Sequence, residues 1–210
     1  MAVHIVLEEI GKPYELELVS SRGHLGGVGT TNPEWMAKNP KGRIPALSGV
    51  TGRIGGADDL LTEAHAILFY LARRHPDAGL LPADAAGEAR AIEWMNWLSS
   101  NVHAMSYGQI WRPNRFVADE RDYAAVQGKG QQNVREQYAY IESLVSDGRD
   151  WALPGAYSVV DPYLLVFYGW GARVGLDMSA SYPAWHRLAQ RVLQRPAVQR
   201  VLAKENISIA

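Results

Sequence analysis

A few side chains in this sequence have the type and setting to do chemistry. His103 falls on the polar stripe of a long amphipathic segment, with Asn96, Ser99 or Ser100 and Tyr107. A neutral imidazole there can polarise or protonate a reacting group, or be no more than a solvated, hydrogen-bonded histidine. Tyr107, Trp111 and Arg112 continue from it and are expected to wall a cleft for an apolar ligand, although Trp111 also fits a core position. Glu63 and Ala64 stand where a helix should open. Free N–H groups and a positive dipole end at that point suit a carboxylate, and an acid there also simply complements the dipole. Pro45 lies inside the strand-like run Ile44–Leu47, where a trans proline is disfavoured, or else belongs to an ordinary loop.

Composition removes several chemistries. The chain of 210 residues has no cysteine, which excludes disulfides, thiolate zinc sites, iron–sulfur clusters and a cysteine nucleophile in this chain. The net charge of −1 gives no basic face for nucleic acid. His4, His24, His65, His75 and His186 have no metal-ligand spacing. Gly55-Gly56 reads as a turn, because no strand delivers it as a phosphate loop. The N-terminus is interrupted by Glu8 and Glu9 and does not read as a signal peptide. Pro162–Trp170, the most apolar stretch, is far shorter than the ~20 residues that span a bilayer, so a cytoplasmic protein is expected. Seven Trp and ten Tyr point to a wide apolar cleft, a subunit interface, or both.

The elements that must position these residues change character near residue 80. Before it they are short. Residues 2–10 predict a helix stopped by Gly11 and Pro13, and Tyr14–Val19 alternates as a strand. Residues 20–32 read as a loop and Pro33–Met36 as a short helix. Ile44–Leu47 is a strand candidate, residues 48–58 a glycine-rich turn region, and Leu60–Arg74 a helix with Thr62 as N-cap. After Pro82 the pattern is wholly helical. Ala91, Trp94, Met95, Leu98, Val102 and Met105 share one face. Residues 126–146 form another helix. Ser158 and Asp161 have capping-box spacing, a folding device rather than a site. Tyr163–Trp170 should be a central buried helix, and Trp185, Leu188, Ala189 and Val192 mark one more before Pro196. The expected layout is a small α/β domain over 1–76, a linker over 77–84 and an all-helical domain over 85–210.

Four stretches in this order resemble the cytosolic glutathione S-transferase family: Asn39–Leu47, Leu61–Ile67 with Tyr70-Leu71-Ala72, Tyr157–Leu164, and Glu93–His103. The last is most similar to the bacterial beta class. The resemblance covers essentially the whole chain. It implies a thioredoxin-like N-terminal domain followed by a helical domain, and an enzyme that conjugates glutathione, its co-substrate, to small apolar electrophiles. It implies a cis bond before Pro45, so that Ile44 pairs through its backbone with the cysteinyl part of glutathione. Glu63 would meet the α-ammonium and Ala64 the γ-glutamyl carboxylate through its amide. His103 would face the sulfur as the catalytic side chain, with Tyr107 and Trp111 against the electrophile. A homodimer is implied as well.

The sequence departs from the family in three places. Ala64 stands where a hydroxyl or small residue is usual, which removes a carboxylate contact and lowers the expected affinity. Ala104 stands where the beta class often has lysine. Val3–Gly11 matches the family's first helix, so a preceding strand and a loop with the sulfur-activating tyrosine, serine or cysteine are expected to be missing. A start codon placed too late or a trimmed N-terminus would account for this. Alternatively Ser48–Leu60 fills the central slot of the sheet, or the strands at Tyr14–Val19 and Ile44–Leu47 pair directly. The same scaffold without transferase activity, as a binding or interaction protein, is the competing expectation.

Overall fold

The computed structural model describes residues 1–20, 28–50 and 59–209. Helix α1 (Ala2–Ile10) buries Ala2, His4, Ile5 and Val6, and ends because Gly11 takes a left-handed φ of 67° that lets its N–H close on Leu7 C=O. Two short ribbons follow. In the first, β1 (Val19–Ser20) pairs in parallel with β2 (Val28–Gly29). In the second, β3 (Ala46–Leu47) pairs antiparallel with β4 (Leu61–Thr62). Between them α2 (Pro33–Lys38) starts with Asn32 as its cap and proline in its first turn.

No ladder joins the ribbons among the described residues, so the two expected strands do not pair directly there. Only the last residue of Tyr14–Val19 enters a ladder, and Leu16 and Leu18 are 49% and 48% exposed. After β3, Val50 N–H donates to Asp59 C=O. The interior of Ser48–Leu60, including Gly55-Gly56, lies outside the described residues.

Thr62 is the last residue of β4 and does not cap α3 (Ala64–Arg74). The apolar run from Leu60 spans a strand end and a helix start, and its periodicity reads as one helix. Leu80 is buried in the connection to the helical half, and its C=O accepts from Val159 N–H.

Helix α4 (Ala85–Trp97) is capped by Asp84 and runs into a π-helical stretch, Leu98–Tyr107, and then α5 (Gly108–Trp111). Tight turns at Pro113–Arg115 and Glu120–Asp122 lead to α6 (Tyr123–Val145), then α7 (Val160–Arg173), α8 (Met178–Ser181), α9 (Pro183–Leu193) and α10 (Pro196–Glu205). α7 is central: Val160, Leu164, Leu165, Phe167 and Tyr168 are buried. Ser158 and Asp161 form the expected box, with Asp161 accepting from Ser158 N–H at 2.8 Å and Ser158 Oγ from Val160 N–H at 3.3 Å. Asp161 also accepts from Ala152 N–H at 2.7 Å. One apolar core runs from Ile5 and Ile67 through Leu98 and Leu164 to Trp185. Among the described residues no helix is long and apolar enough to cross a membrane.

The π stretch corrects one expectation. Its i→i+5 bonding puts more residues in each turn than an α-helix holds. The face carrying Leu98 and Val102 therefore arrives at Ser106 and Tyr107, both buried, while Met105 is 49% exposed.

Candidate functional site

β4 turns into α3 within a single residue. Glu63 makes that turn at φ 73°, a left-handed conformation that a non-glycine residue adopts at a cost of about 1–3 kcal/mol. Neighbouring contacts hold it there. Glu63 C=O accepts from Ile67 N–H, and Lys41 Nζ bridges Glu63 Oε1 at 2.6 Å and Thr62 Oγ1 at 2.8 Å. The Lys41 hydrogen bond also lowers the Glu63 pKa, helped by the charges of Lys41, Arg43 and His65. No side chain caps the first turn of α3, so Ala64 opens the helix with its backbone donors available.

Opposite lies the Ile44–Pro45 peptide, which is cis, with Ile44 44% exposed just before β3. Asn39 positions this bend. It is buried, its Nδ2 donates to Arg43 C=O at 2.8 Å, and its backbone C=O accepts from Gly42 N–H. Gly42 is required here: φ is 58°, and a Cβ would lie 2.9 Å from Met36 Sδ and 3.2 Å from Thr30 O. Ile44, Pro45, Glu63 and Ala64 thus stand together around the β3–β4 ribbon. Asn39, Lys41 and Arg43 contribute to the site beyond the residues expected of it, and their only signal in the sequence is adjacency, since all three precede the proline within Asn39–Leu47.

The helical side of the cleft carries His103. Its ring packs edge-on against Trp170 at 5.2 Å and tilted against Phe167 at 6.3 Å, while the residue keeps an exposed face. Desolvation by those rings, followed by the charges of Arg43 and Arg115, lowers its pKa, so the imidazole is neutral near pH 7. The N-terminal half meets this wall. The negative charge of Glu63 reaches Tyr163, whose hydroxyl is 2.9 Å from Ser99 Oγ.

Tyr107 is placed differently from the polar stripe on which the sequence puts it. It is 0% exposed, and its hydroxyl meets that of Tyr138 at 2.5 Å; Tyr138 in turn donates to Phe167 C=O. Burial raises the Tyr107 pKa. Tyr107 cannot touch a ligand from there and instead backs the wall, 4.6 Å from the ring of Trp111 and 5.0 Å from that of Trp170. Trp111, half-buried, and Trp170 form the surface themselves, 4.8 Å apart, with Arg173 over Trp111 at 5.5 Å. Trp170 is a wall residue that the sequence reading placed only in the core of α7.

The chain is similar along its length to known proteins. The family model of the glutathione S-transferase N-terminal domain matches residues 1–74. Glutathione S-transferase GstA of Escherichia coli is 29% identical over 213 residues, covering 99% of this chain and 94% of that protein. A Sulfitobacter glutathione transferase homologue, solved with bound glutathione, superposes with a TM-score of 0.85 at 30% identity, covering 98% of this chain and 93% of that one. The beta-class enzyme of Sphingomonas chungbukensis superposes at 0.78 with 28% identity, covering 99% and 94%. With a thioredoxin-like N-terminal half, a helical C-terminal half and this degree of similarity along its length, the chain belongs to the glutathione S-transferase family.

Proposed function

We propose that the protein is a glutathione S-transferase that joins the thiol of glutathione to a small electrophile. The observation that carries this reading is the pair of backbone features facing each other: the cis Ile44–Pro45 bend and the left-handed Glu63 at the open start of α3. Ile44 offers its amide and carbonyl to the cysteinyl residue of glutathione as an added strand would. Ala64 and the next amides receive the γ-glutamyl carboxylate at the helix N-terminus. Glu63 receives the α-ammonium, sharing its carboxylate with Lys41. In this reading His103 is the side chain that faces the sulfur: neutral at pH 7, it takes the thiol proton as a general base and leaves the thiolate beside it. The thiolate then attacks the electrophilic carbon, the S–C bond forms, and the leaving group departs with its electron pair. Trp111 and Trp170 take the apolar body of the electrophile.

The assembly proposed is a homodimer, and the domain division proposed is 1–76 and 85–210 about the pinned segment at Leu80. A binding protein without turnover is the second reading. Ala64 supplies no hydroxyl, and Lys41 already occupies Glu63. Calorimetric titration with glutathione, followed by a conjugation assay, separates the two. Absence of binding at millimolar glutathione overturns the first reading, and binding without turnover favours the second. Sedimentation velocity tests the dimer.

A further inference from the structure

The charge around His103 is lopsided. The whole chain carries 21 basic and 22 acidic residues, close to balance. Arg73, Arg90, Arg121, Arg149, Arg191, Arg195 and Arg200 each hold a carboxylate within ion-pair distance. Arg43, Arg74, Arg112, Arg115, Arg135, Arg173 and Arg187 hold none among the described residues, and of these Arg43, Arg112 and Arg115 lie close enough for their charges to act on one another. Arg112 and Arg115 close a single tight turn directly after Trp111, with Arg115 N–H on Arg112 C=O at 3.0 Å. That turn packs against α6. Arg43 comes from the other half of the molecule, one residue before the cis bond, and its charge reaches both His103 and Arg115. Arg115 is held below its ordinary pKa, first by desolvation and then by the charges of Arg43 and Arg112. Three like charges converging beside a desolvated aromatic wall repel one another, and an anion placed among them relieves that repulsion.

We infer that the second substrate of this site carries an anionic group, a carboxylate or its equivalent, on an aromatic body. The body lies on Trp111 and Trp170 beside His103, and the anion is received by Arg43, Arg112 and Arg115. This refines the transferase reading and rests on it for the reaction. It does not rest on it for the binding. Guanidinium groups in a fork geometry suit a carboxylate, and one charge-assisted pair to these exposed arginines strengthens binding by up to roughly tenfold. The same cluster disfavours cationic electrophiles.

The test uses matched probes. For turnover these are 4-chloro-3-nitrobenzoate and its neutral amide. With either, the thiolate attacks the ring carbon bearing chlorine, the C–S bond forms, and the C–Cl bond breaks to release chloride. The thiol proton passes to solvent. For binding without reaction, 3-nitrobenzoate and 3-nitrobenzamide are followed by quenching of tryptophan fluorescence. The benzoates are expected to be favoured about tenfold in kcat/KM and in Kd. In Arg112→Gln and Arg115→Gln that preference should fall toward unity while the Kd for glutathione is unchanged. Bound 3-nitrobenzoate should also raise the His103 pKa, read by NMR titration of its ring proton. Equal binding of benzoate and benzamide overturns the inference. So does a loss of glutathione affinity in both variants with the probe preference intact, which would assign the arginines to a carboxylate of glutathione. If neither chloro probe turns over and glutathione does not bind, yet the benzoate preference persists, the transferase reading fails and the anion site stands.

Discussion

His103 and Arg43 come from opposite halves of the molecule, and the charge of Arg43 acts on His103. The Arg43 charge disfavours a protonated His103. Removing it in Arg43→Gln should raise the His103 pKa, because the imidazolium then loses a repulsive neighbour. The acid limb of the pH–rate profile should move to higher pH with it. An unshifted NMR titration would show that the two charges are not coupled. At Glu63, substitution by Gln removes the partner of Lys41 and of the α-ammonium at once. Glutathione affinity should fall about tenfold or more by calorimetry, the usual scale for one charge-assisted bond. The residues of the two motifs were legible in the sequence because they are local in the chain: Ile44 and Pro45 are adjacent, as are Glu63 and Ala64. Arg115 was not, since nothing in its own neighbourhood of sequence announces that the charge of Arg43 reaches it.

The Leu98–Tyr107 stretch shows why element type matters as much as residue type. Spacing at three and four places Met105 inside and Tyr107 outside, and the π-helical turns reverse both. Periodicity detects that a segment is helical but not that a turn holds an extra residue. The same limit explains Thr62, which ends a strand rather than capping a helix. The helices α6, α7, α9 and α10 were legible because each carries a continuous apolar face, while the four-residue α8 was not read and the two-residue ribbons were only partly legible because their pairing is nonlocal. The α5–α6 contact that supports Trp111 depends on Gly130, where a Cβ would lie 2.8 Å from Gln109 Cβ and 3.0 Å from Ile110 N. Gly130→Ala should therefore cost about 1–3 kcal/mol in urea denaturation and weaken aromatic ligands as Trp111 shifts. At the start of α7, Asp161→Ala leaves the buried N–H groups of Ala152 and Ser158 without their acceptor. A loss of roughly 2 kcal/mol or more is expected by the same measurement.

At the scale of the whole molecule, α1 is held against α10 by charge as well as by its apolar face. Arg195 grips Glu9 with two bonds of 2.6 and 2.9 Å. Glu8 accepts from Arg200 and Lys204, each at 2.6 Å, and from the Tyr14 hydroxyl at 2.5 Å. His4 joins Tyr14 to Glu205 behind them. This clasp ties the N-terminal half, with its cis bend and Glu63, to the last helix of the chain. The hydrogen bonds from Lys204, Tyr14 and Arg200 lower the Glu8 pKa from 4.5 to about 2. A carboxylate whose pKa is depressed in the folded state stabilises the fold above its unfolded pKa and loses that contribution as pH falls through the folded value. The stabilisation from Glu8 is thus fully present above about pH 5 and gone near pH 2. Glu8→Gln should lower Tm by about 2–4 °C at pH 7, the shift that a modest change in stability produces in a chain of this size. The gap from the parent protein should narrow steadily between pH 4.5 and pH 2 as the parent loses the same interaction. A Tm difference that stays constant over that range would show that the variant acts through packing of α1 on α10 and not through the charge of Glu8.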